Sequence, residues 1–262
     1  MVAPPVATSA RPARPRRVSN LDILPDVLAG LMRAFADADR RAAVAKAFWI
    51  EAKRHGGSRV VNIDASRVCG IQSANVHGPV GLHCPLIVPA LAMVLGPSEM
   101  FEFGTFRGES TWLLAHNVPS ARVYTLDLPG PEAVSTAKLD LTDPEYFATW
   151  DRGIRFRGTP EAGRIVQLTG DTATFDFTSF AGRMDFIYID ASHSYSYVRS
   201  DTEAALEMLS PTGAILWDDY TLYPGIFTYV NELAPTLDRP IHHVLGTRLA
   251  LYSRRDIVLP EV

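Results

Sequence analysis

Three acidic side chains and one histidine follow two short apolar runs in the second half of the sequence. Asp190 and His193 follow the first run, and Asp218 and Asp219 follow the second. Carboxylates brought together repel one another unless a cation neutralises them, and hard oxygen ligands favour Mg²⁺, Ca²⁺ or Mn²⁺. The pattern predicts a divalent-cation site formed by the three aspartates, with His193 beside it. The alternative is a hydrogen-bonded acidic rim without metal.

A glycine-containing segment, 102–111, links an apolar run to an amphipathic one. Gly104 and Gly108 permit backbone conformations and close approaches that a Cβ would block. The N–H groups at the start of the following helix could receive an anionic group such as a carboxylate. We expect a larger side chain at Gly104 to fill ligand space. The spacing is that of neither a phosphate-binding P-loop nor a dinucleotide fingerprint, and a tight turn without ligand is the alternative.

Two further acids follow predicted strands. Asp127 lies about 20 residues after the glycine segment, where an acid can accept hydrogen bonds from a ribose diol. Asp171 follows Gly170 and could meet the edge of a purine base. Each could equally be an ordinary capping or turn aspartate.

All these residues follow apolar segments that alternate with helical ones. The predicted strands are 99–103, 123–126, 164–168, 184–189 and 214–217, the predicted helices are 85–95, 109–116, 195–209 and 225–233 with another around 144–150, and 241–244 and 248–252 form a terminal hairpin. Such alternation predicts an α/β fold with a doubly wound, mainly parallel sheet and an antiparallel edge. Ligands bind such sheets beyond the carboxyl ends of the strands.

Composition limits the function classes. The chain has 262 residues, with 25 Lys and Arg against 29 Asp and Glu, and this net charge of −4 disfavours nucleic-acid binding. Two cysteines, no apolar run long enough to span a membrane and no secretory signal favour the cytoplasm. We predict a disordered basic tail over 1–20, a helical and irregular cap over 21–84, and the main domain over 85–262.

The ordered set of motifs resembles the class I S-adenosylmethionine-dependent methyltransferases over about 85–252. The motifs are Glu-x-Gly-Thr-Phe-x-Gly-x-Ser at 102–110, the strand-end Asp127, Ile-Asp-Ala-Ser-His at 189–193, Pro-Thr-Gly at 211–213 and Trp-Asp-Asp-Tyr at 217–220. Within that superfamily the chain is similar to two groups of O-methyltransferases. One is the cation-dependent catechol and caffeoyl-CoA type, and the other modifies bacterial macrolide sugars and cephalosporins. The resemblance implies a seven-stranded sheet.

The resemblance also implies roles for individual residues. Those implied to bind S-adenosylmethionine are Glu102, Gly104, Thr105, Phe106, Gly108, Ser110, Asp127 and Asp171. Asp190, Asp218 and Asp219 match the family's metal ligands, with Mg²⁺ as the expected ion. Asp190 and His193 are the implied catalytic residues, and His193 stands where catechol-type enzymes place a lysine base. Asp219 stands where the family often has asparagine, which weakens a catechol-specific assignment.

The expected activity is methyl transfer to a hydroxyl of a small molecule, a secondary metabolite or sugar, with metal assistance and His193 as base. One alternative is a metal-independent methyltransferase of the same fold. Another is a non-catalytic, cofactor-binding partner subunit. We expect no nucleic-acid or membrane partner, and the N-terminal region could supply substrate specificity or a contact between copies of the chain.

Overall fold

The computed structural model describes residues 17–18, 58–59, 83–130, 132–133, 137–141, 151–244 and 247–256. It divides into two units, 1–61 and 62–262. In the first unit, strand β1 (Arg17–Val18) pairs antiparallel with β2 (Ser58–Arg59). Nearly all of the predicted tail and cap lies outside the described residues, as do the helix predicted around 144–150 and most of the hairpin turn.

The second unit alternates strands with helices, as predicted. Its strands are β3 (Glu99–Phe103), β4 (Arg122–Asp127), β5 (Ile165–Thr169), β6 (Met184–Ile189), β7 (Leu209–Trp217), β8 (His242–His243) and β9 (Ala250–Ser253). Its helices are α1 (His83–Leu95), α2 (Glu109–Asn117), α3 (Tyr195–Met208) and α4 (Pro224–Leu233). Among the described residues, no helix is both long enough and apolar enough to cross a membrane.

The seven strands of this unit form one sheet in the order β5-β4-β3-β6-β7-β9-β8. Strands β3 to β7 run parallel, whereas β9 pairs antiparallel with both β7 and β8. The predicted α/β fold with a mainly parallel, seven-stranded sheet and an antiparallel edge is therefore confirmed.

One face of the sheet packs against α1 and α2. Leu91 of α1 and Leu114 of α2 join Met100, Phe186 and Leu216 in a single buried cluster. These strand residues belong to the same face because side chains alternate along a strand. Burying an aliphatic side chain of this kind contributes about 1.5–3 kcal/mol, so the face fixes the sheet against both helices.

The opposite face carries an aromatic cluster and α3. The Phe101 ring lies 5.0 Å from that of Phe103 and 5.2 Å from that of Phe180. Trp217 at the end of β7 donates its indole N–H to Thr202 of α3 at 2.9 Å. This bond satisfies a buried donor and fixes α3, the helix that begins two residues after His193.

Strand β7 begins earlier than predicted. The strand was predicted over 214–217, but the segment 211–213 also lies within β7, where the pairing with β6 shifts register between Met184 and Phe186. A Cβ on Gly213 would lie 2.7 Å from the carbonyl oxygen of Met184. Glycine thus lets the irregular stretch stay against its neighbour instead of leaving the sheet.

Backbone pairing continues beyond the ends of the central strands. The N–H of Gly104 donates to the Leu126 carbonyl at 2.9 Å, and that of Asp190 donates to the Phe103 carbonyl at 2.9 Å. The loops after β4, β3 and β6 are therefore held side by side. They meet where the strand order reverses around β3, the place at which open α/β sheets bind ligands.

Candidate active site

A cavity of about 430 Å³ opens at the carboxyl edge of the sheet, a size typical of small-molecule sites. The predicted site residues that line it are Gly104, Phe106, Asp127, Asp171, Asp190, His193 and Asp219. Those that do not line it are Glu102, Thr105, Gly108, Ser110 and Asp218. The structure thus gathers residues from five strand ends around one space, while several of the predicted residues lie behind its wall.

The two glycines of the turn after β3 are required by packing against protein. A Cβ on Gly104, which has a φ of +92°, would lie 2.1 Å from the carbonyl oxygen of Asp190. A Cβ on Gly108 would lie 2.6 Å from the Phe156 ring. The expectation that a side chain at Gly104 would fill ligand space is therefore wrong, because the neighbouring backbone already occupies that direction.

Asp127, at the end of β4, holds the glycine turn in place. Its Oδ2 accepts from the backbone N–H groups of Thr105 at 3.1 Å and Phe106 at 2.8 Å. Its Oδ1 accepts from the Leu128 N–H at 2.7 Å and lies 3.8 Å from Arg152 Nε. Burial raises the pKa of this carboxyl, and the amide donors and Arg152 partly offset that effect. The acid that the sequence assigned to a ribose also organises the loop beside it.

Glu102 lies behind the turn instead of facing the cavity. It is fully buried, and its Oε2 accepts from the hydroxyls of Thr111 and of Thr125, the latter at 3.1 Å. The Thr125 hydroxyl also lies 2.7 Å from that of Thr105. Burial raises the pKa of Glu102 to about 7, against the opposing hydrogen bonds from Ser110 and Thr111. The geometry gives these residues a supporting position under the turn.

Asp171 closes the β5 end of the cavity. Its Oδ2 accepts from the Lys138 N–H at 2.7 Å, and its Oδ1 accepts from the Ala173 N–H at 2.9 Å. The Tyr197 hydroxyl donates to Oδ1 at 3.0 Å, and both side chains line the cavity. Tyr197 was not predicted as a site residue. Its position near the start of α3 would have placed it at this edge.

His193 lies in the turn between β6 and α3. Its Nε2 is 3.2 Å from Asp219 Oδ2, and its ring stacks on Tyr223 with centroids 3.8 Å apart and planes at 8°. Ser194 caps α3 by accepting from the Tyr197 N–H at 3.2 Å, which fixes the residue after the histidine. A Cβ on Gly225 would lie 2.4 Å from the His193 carbonyl oxygen, so glycine lets α4 approach this turn.

Asp190, directly after β6, lies in the most acidic part of the cavity wall. Burial raises its pKa well above the ordinary range for aspartate, and the charges of Asp218 and Asp219 raise it further. His193 opposes this shift. The structure therefore brings the three predicted aspartates and the histidine together, as the strand ends indicated.

Arg248 is a site residue that the sequence analysis missed. Its Nε donates to Asp218 Oδ1 at 3.0 Å and lies 2.8 Å from Asp219 Oδ1. The residue precedes β9, and an antiparallel strand begins at the edge where its parallel neighbours end. A basic residue at the start of the predicted 248–252 strand was therefore a usable signal.

The acids do not fit a chelated cation in this arrangement. Asp218 Oδ2 accepts from the Tyr188 hydroxyl at 2.7 Å, and Asp219 is flanked by Arg248 and His193. In the part of the chain that the structure describes, no three His, Cys, Asp or Glu side chains are placed to hold a metal ion. The metal site remains a prediction from the sequence.

Comparison with known proteins identifies the domain. A family model described as a methyltransferase domain matches residues 101–220, a range that begins within β3, extends past the end of β7 and includes most of the cavity-lining residues. No curated protein matches the sequence.

Solved structures include several methyltransferases similar to this chain. The O-methyltransferase NovP is 16% identical, with a TM-score of 0.49 over 66% of this chain and 83% of NovP. A Staphylococcus aureus protein, provisionally described as a caffeoyl-CoA O-methyltransferase, is 14% identical, with a TM-score of 0.49 over 72% of this chain and 87% of its own. A Burkholderia thailandensis 1,6-didemethyltoxoflavin-N1-methyltransferase, solved with S-adenosylhomocysteine, is 15% identical, with a TM-score of 0.35 over 50% of this chain and 49% of its own.

The family match covers the glycine turn, the strand-end acids and the histidine from which the resemblance was drawn. Residues 101–220 form a methyltransferase domain, and the predicted enzyme class, an S-adenosylmethionine-dependent methyltransferase of the class I fold, is confirmed.

Proposed function

We propose that the protein transfers a methyl group to a hydroxyl of a small molecule, a secondary metabolite or sugar, with His193 as the general base. The observation that carries this proposal is the position of His193. It is paired with Asp219 in the same cavity that contains Gly104 and Asp127. A candidate base and a candidate cofactor site therefore share one cavity.

The β5-β4-β3 half of the cavity fits S-adenosylmethionine. Asp127 and Asp171, two acids at strand ends, line this half of the cavity. Gly104, in the turn after β3, also lines it, and because glycine has no side chain its backbone forms that part of the wall. We assign the cofactor's ribose to Asp127, its adenine side to Asp171, and its methionine part to the turn after Gly104. When bound there, the cofactor supplies an electrophilic methyl group on a sulfonium.

The β6-β7 half holds the group that can remove the acceptor's proton. A carboxylate 3.2 Å from His193 Nε2 favours the proton on that nitrogen, which makes Nδ1 the basic one. The stacked Tyr223 ring holds the imidazole plane. A positioned general base contributes roughly 10²–10⁴-fold to rate, and in-line placement of the acceptor supplies much of the remainder.

The sequence also allowed two other functions, metal-assisted methyl transfer and a non-catalytic partner subunit, and each predicts a different experimental outcome. Metal-assisted transfer would require a cation among Asp190, Asp218 and Asp219, whereas the Arg248 contacts favour transfer without metal. A non-catalytic partner subunit would bind the cofactor and transfer nothing.

A labelled-methyl assay tests the proposed function. Purified protein is incubated with methyl-labelled S-adenosylmethionine and a panel of phenols, sugars, hydroxylated polyketides and peptide-derived products. We expect label on an acceptor hydroxyl with the wild type, and a loss of roughly 10²–10⁴-fold with His193→Ala. Transfer to nitrogen or carbon would contradict O-methylation. Cofactor binding without transfer to any acceptor would support the partner-subunit alternative.

A further inference from the structure

We infer that Arg248 takes the place of the divalent cation at the acidic rim, so that its guanidinium, in place of a metal ion, forms ion pairs with both Asp218 and Asp219 and faces the acceptor. This inference deepens the proposed function and rests on it for the acceptor's position. The ion pairs with the two acids are inferred from the contacts of Arg248 alone.

The contacts place Arg248 between the two aspartates. One nitrogen, Nε, donates to Asp218 Oδ1 at 3.0 Å and lies 2.8 Å from Asp219 Oδ1. The two carboxylates are 3% and 9% exposed, so their charges are largely removed from water. Buried carboxylates need a compensating charge at close range, and the arginine supplies one positive charge that the two aspartates share.

A chelated ion would compete with the guanidinium for the same oxygens. Mg²⁺ and Ca²⁺ bind oxygen at roughly 2.0–2.6 Å, and the Oδ1 atoms of Asp218 and Asp219 already lie beside Arg248 Nε. Arginine remains charged at all physiological pH values, so an added cation would also meet like-charge repulsion. The arginine would have to move before an ion could bind both aspartates.

The fold fixes Arg248 at this position. The N–H of Tyr220, the residue after Asp219, donates to the Arg248 carbonyl at 2.8 Å. The pairing of Trp217 with Ala250 brings the start of β9 beside the end of β7. Asp219 has a φ of +55°, a strained conformation for a non-glycine residue. Strain held at this turn is consistent with a requirement to present Asp219 to both Arg248 and His193.

Arg248 also lines the cavity, beside the histidine that we propose as base. A fixed positive charge next to an acceptor hydroxyl stabilises the negative charge that develops as its proton leaves. A metal ion would lower the pKa of the hydroxyl in a similar way. The arginine therefore supplies, with one positive charge, both kinds of effect expected of the ion: a counter-charge beside the acids and stabilisation of the acceptor oxygen.

Manganese titration followed by electron paramagnetic resonance tests the inference without acceptor or cofactor. The full-length wild type and Arg248→Lys are expected to bind no Mn²⁺ at millimolar concentration. Arg248→Met, which keeps length but removes charge, is expected to gain one site. The double variant Arg248→Met with Asp218→Asn is expected to lose that site. Arg199→Met, which breaks an exposed ion pair with Glu203, is the matched control and should behave as the wild type.

Two results would overturn the inference. One is a Mn²⁺ site in the wild type that Asp218→Asn abolishes, which would show that the acids hold an ion despite the arginine. The other is a folded Arg248→Met that binds no ion, which would show that Arg248 is not what excludes it. If Arg248→Met fails to fold, the wild-type titration decides. Failure of the proposed function would appear separately, as absent methyl transfer with the Mn²⁺ result unchanged.

Discussion

The carboxylates in the two halves of the cavity edge have different kinds of hydrogen-bond and ion-pair partners. On the β5-β4-β3 side, Asp127 and Asp171 accept mostly from backbone N–H groups. On the β6-β7-β9 side, Asp218 and Asp219 are met chiefly by the side chains of Tyr188, His193 and Arg248. A carboxylate that accepts from backbone amides fixes the conformation of a loop. A carboxylate that pairs with an ionisable side chain fixes the position of that side chain. In the function that we propose, the first half binds the cofactor and the second half carries out the reaction.

The largest expected effect is the loss of turnover when His193, in the half assigned to the reaction, is replaced. His193→Ala should lower turnover by roughly 10²–10⁴-fold, because the acceptor loses its base. Turnover is measured with an acceptor found in the labelled-methyl assay. His242→Ala, at an exposed histidine of β8, is the control and should leave turnover unchanged. Full activity in His193→Ala would assign the proton to another group.

The second prediction concerns the junction of the two halves. Gly104→Ala should destabilise the fold by about 3 kcal/mol or more, since its Cβ would meet the Asp190 carbonyl and its φ is positive. Gly158→Ala has a similar φ of +76° but no described atom within 4 Å of its Cβ, so about 1 kcal/mol is expected. Urea unfolding measures both. Equal losses would mean that the close approach of the two loops is not what requires glycine.

The third prediction follows from burial of Glu102 beneath the binding half. Its pKa of about 7 lies above the ordinary value of 4.5, so the folded state holds this proton more tightly than the unfolded state. The resulting stabilisation is present at low pH and is lost as pH rises through about 7. Between pH 5 and 8, Glu102→Gln should therefore lose about 2–3 kcal/mol less stability than the wild type.

Thermal unfolding across that pH range, with the exposed Glu207→Gln as control, checks the Glu102 prediction. Parallel curves for wild type and Glu102→Gln would show that Glu102 stays ionised in the folded protein. In that case the hydroxyl groups that donate to Glu102 would have to stabilise its buried negative charge.

Much of this architecture could be predicted from the sequence because hydrophobic periodicity and glycine breaks are local signals. The strand ends that carry Asp127, Asp171, Asp190 and Asp219 were placed at one edge on that basis, and the structure brings them together. The face of the sheet on which Glu102 lies could also be predicted, because side chains alternate along β3 and its neighbours Phe101 and Phe103 belong to the aromatic cluster on the opposite face.

The rest depended on contacts between residues distant in sequence. The backbone donors to Asp127 carry no side-chain signature, so its structural role at the turn could not be recognised. Arg248 reaches Asp218 and Asp219 only because β9 pairs with β7 in a particular register. The register shift between β6 and β7 likewise depends on how Gly213 meets Met184 of the neighbouring strand.

Calorimetric titration of S-adenosylhomocysteine into two variants tests the division of the cavity most directly. Asp127→Ala should weaken binding by roughly 10- to 150-fold, equivalent to about 1.5–3 kcal/mol, because it removes a charged acceptor and the anchor of the glycine turn. His193→Ala should bind as tightly as the wild type, because the base acts on the acceptor. Equal weakening in both variants, or weakening in His193→Ala alone, would contradict the assignment of binding and reaction to separate halves.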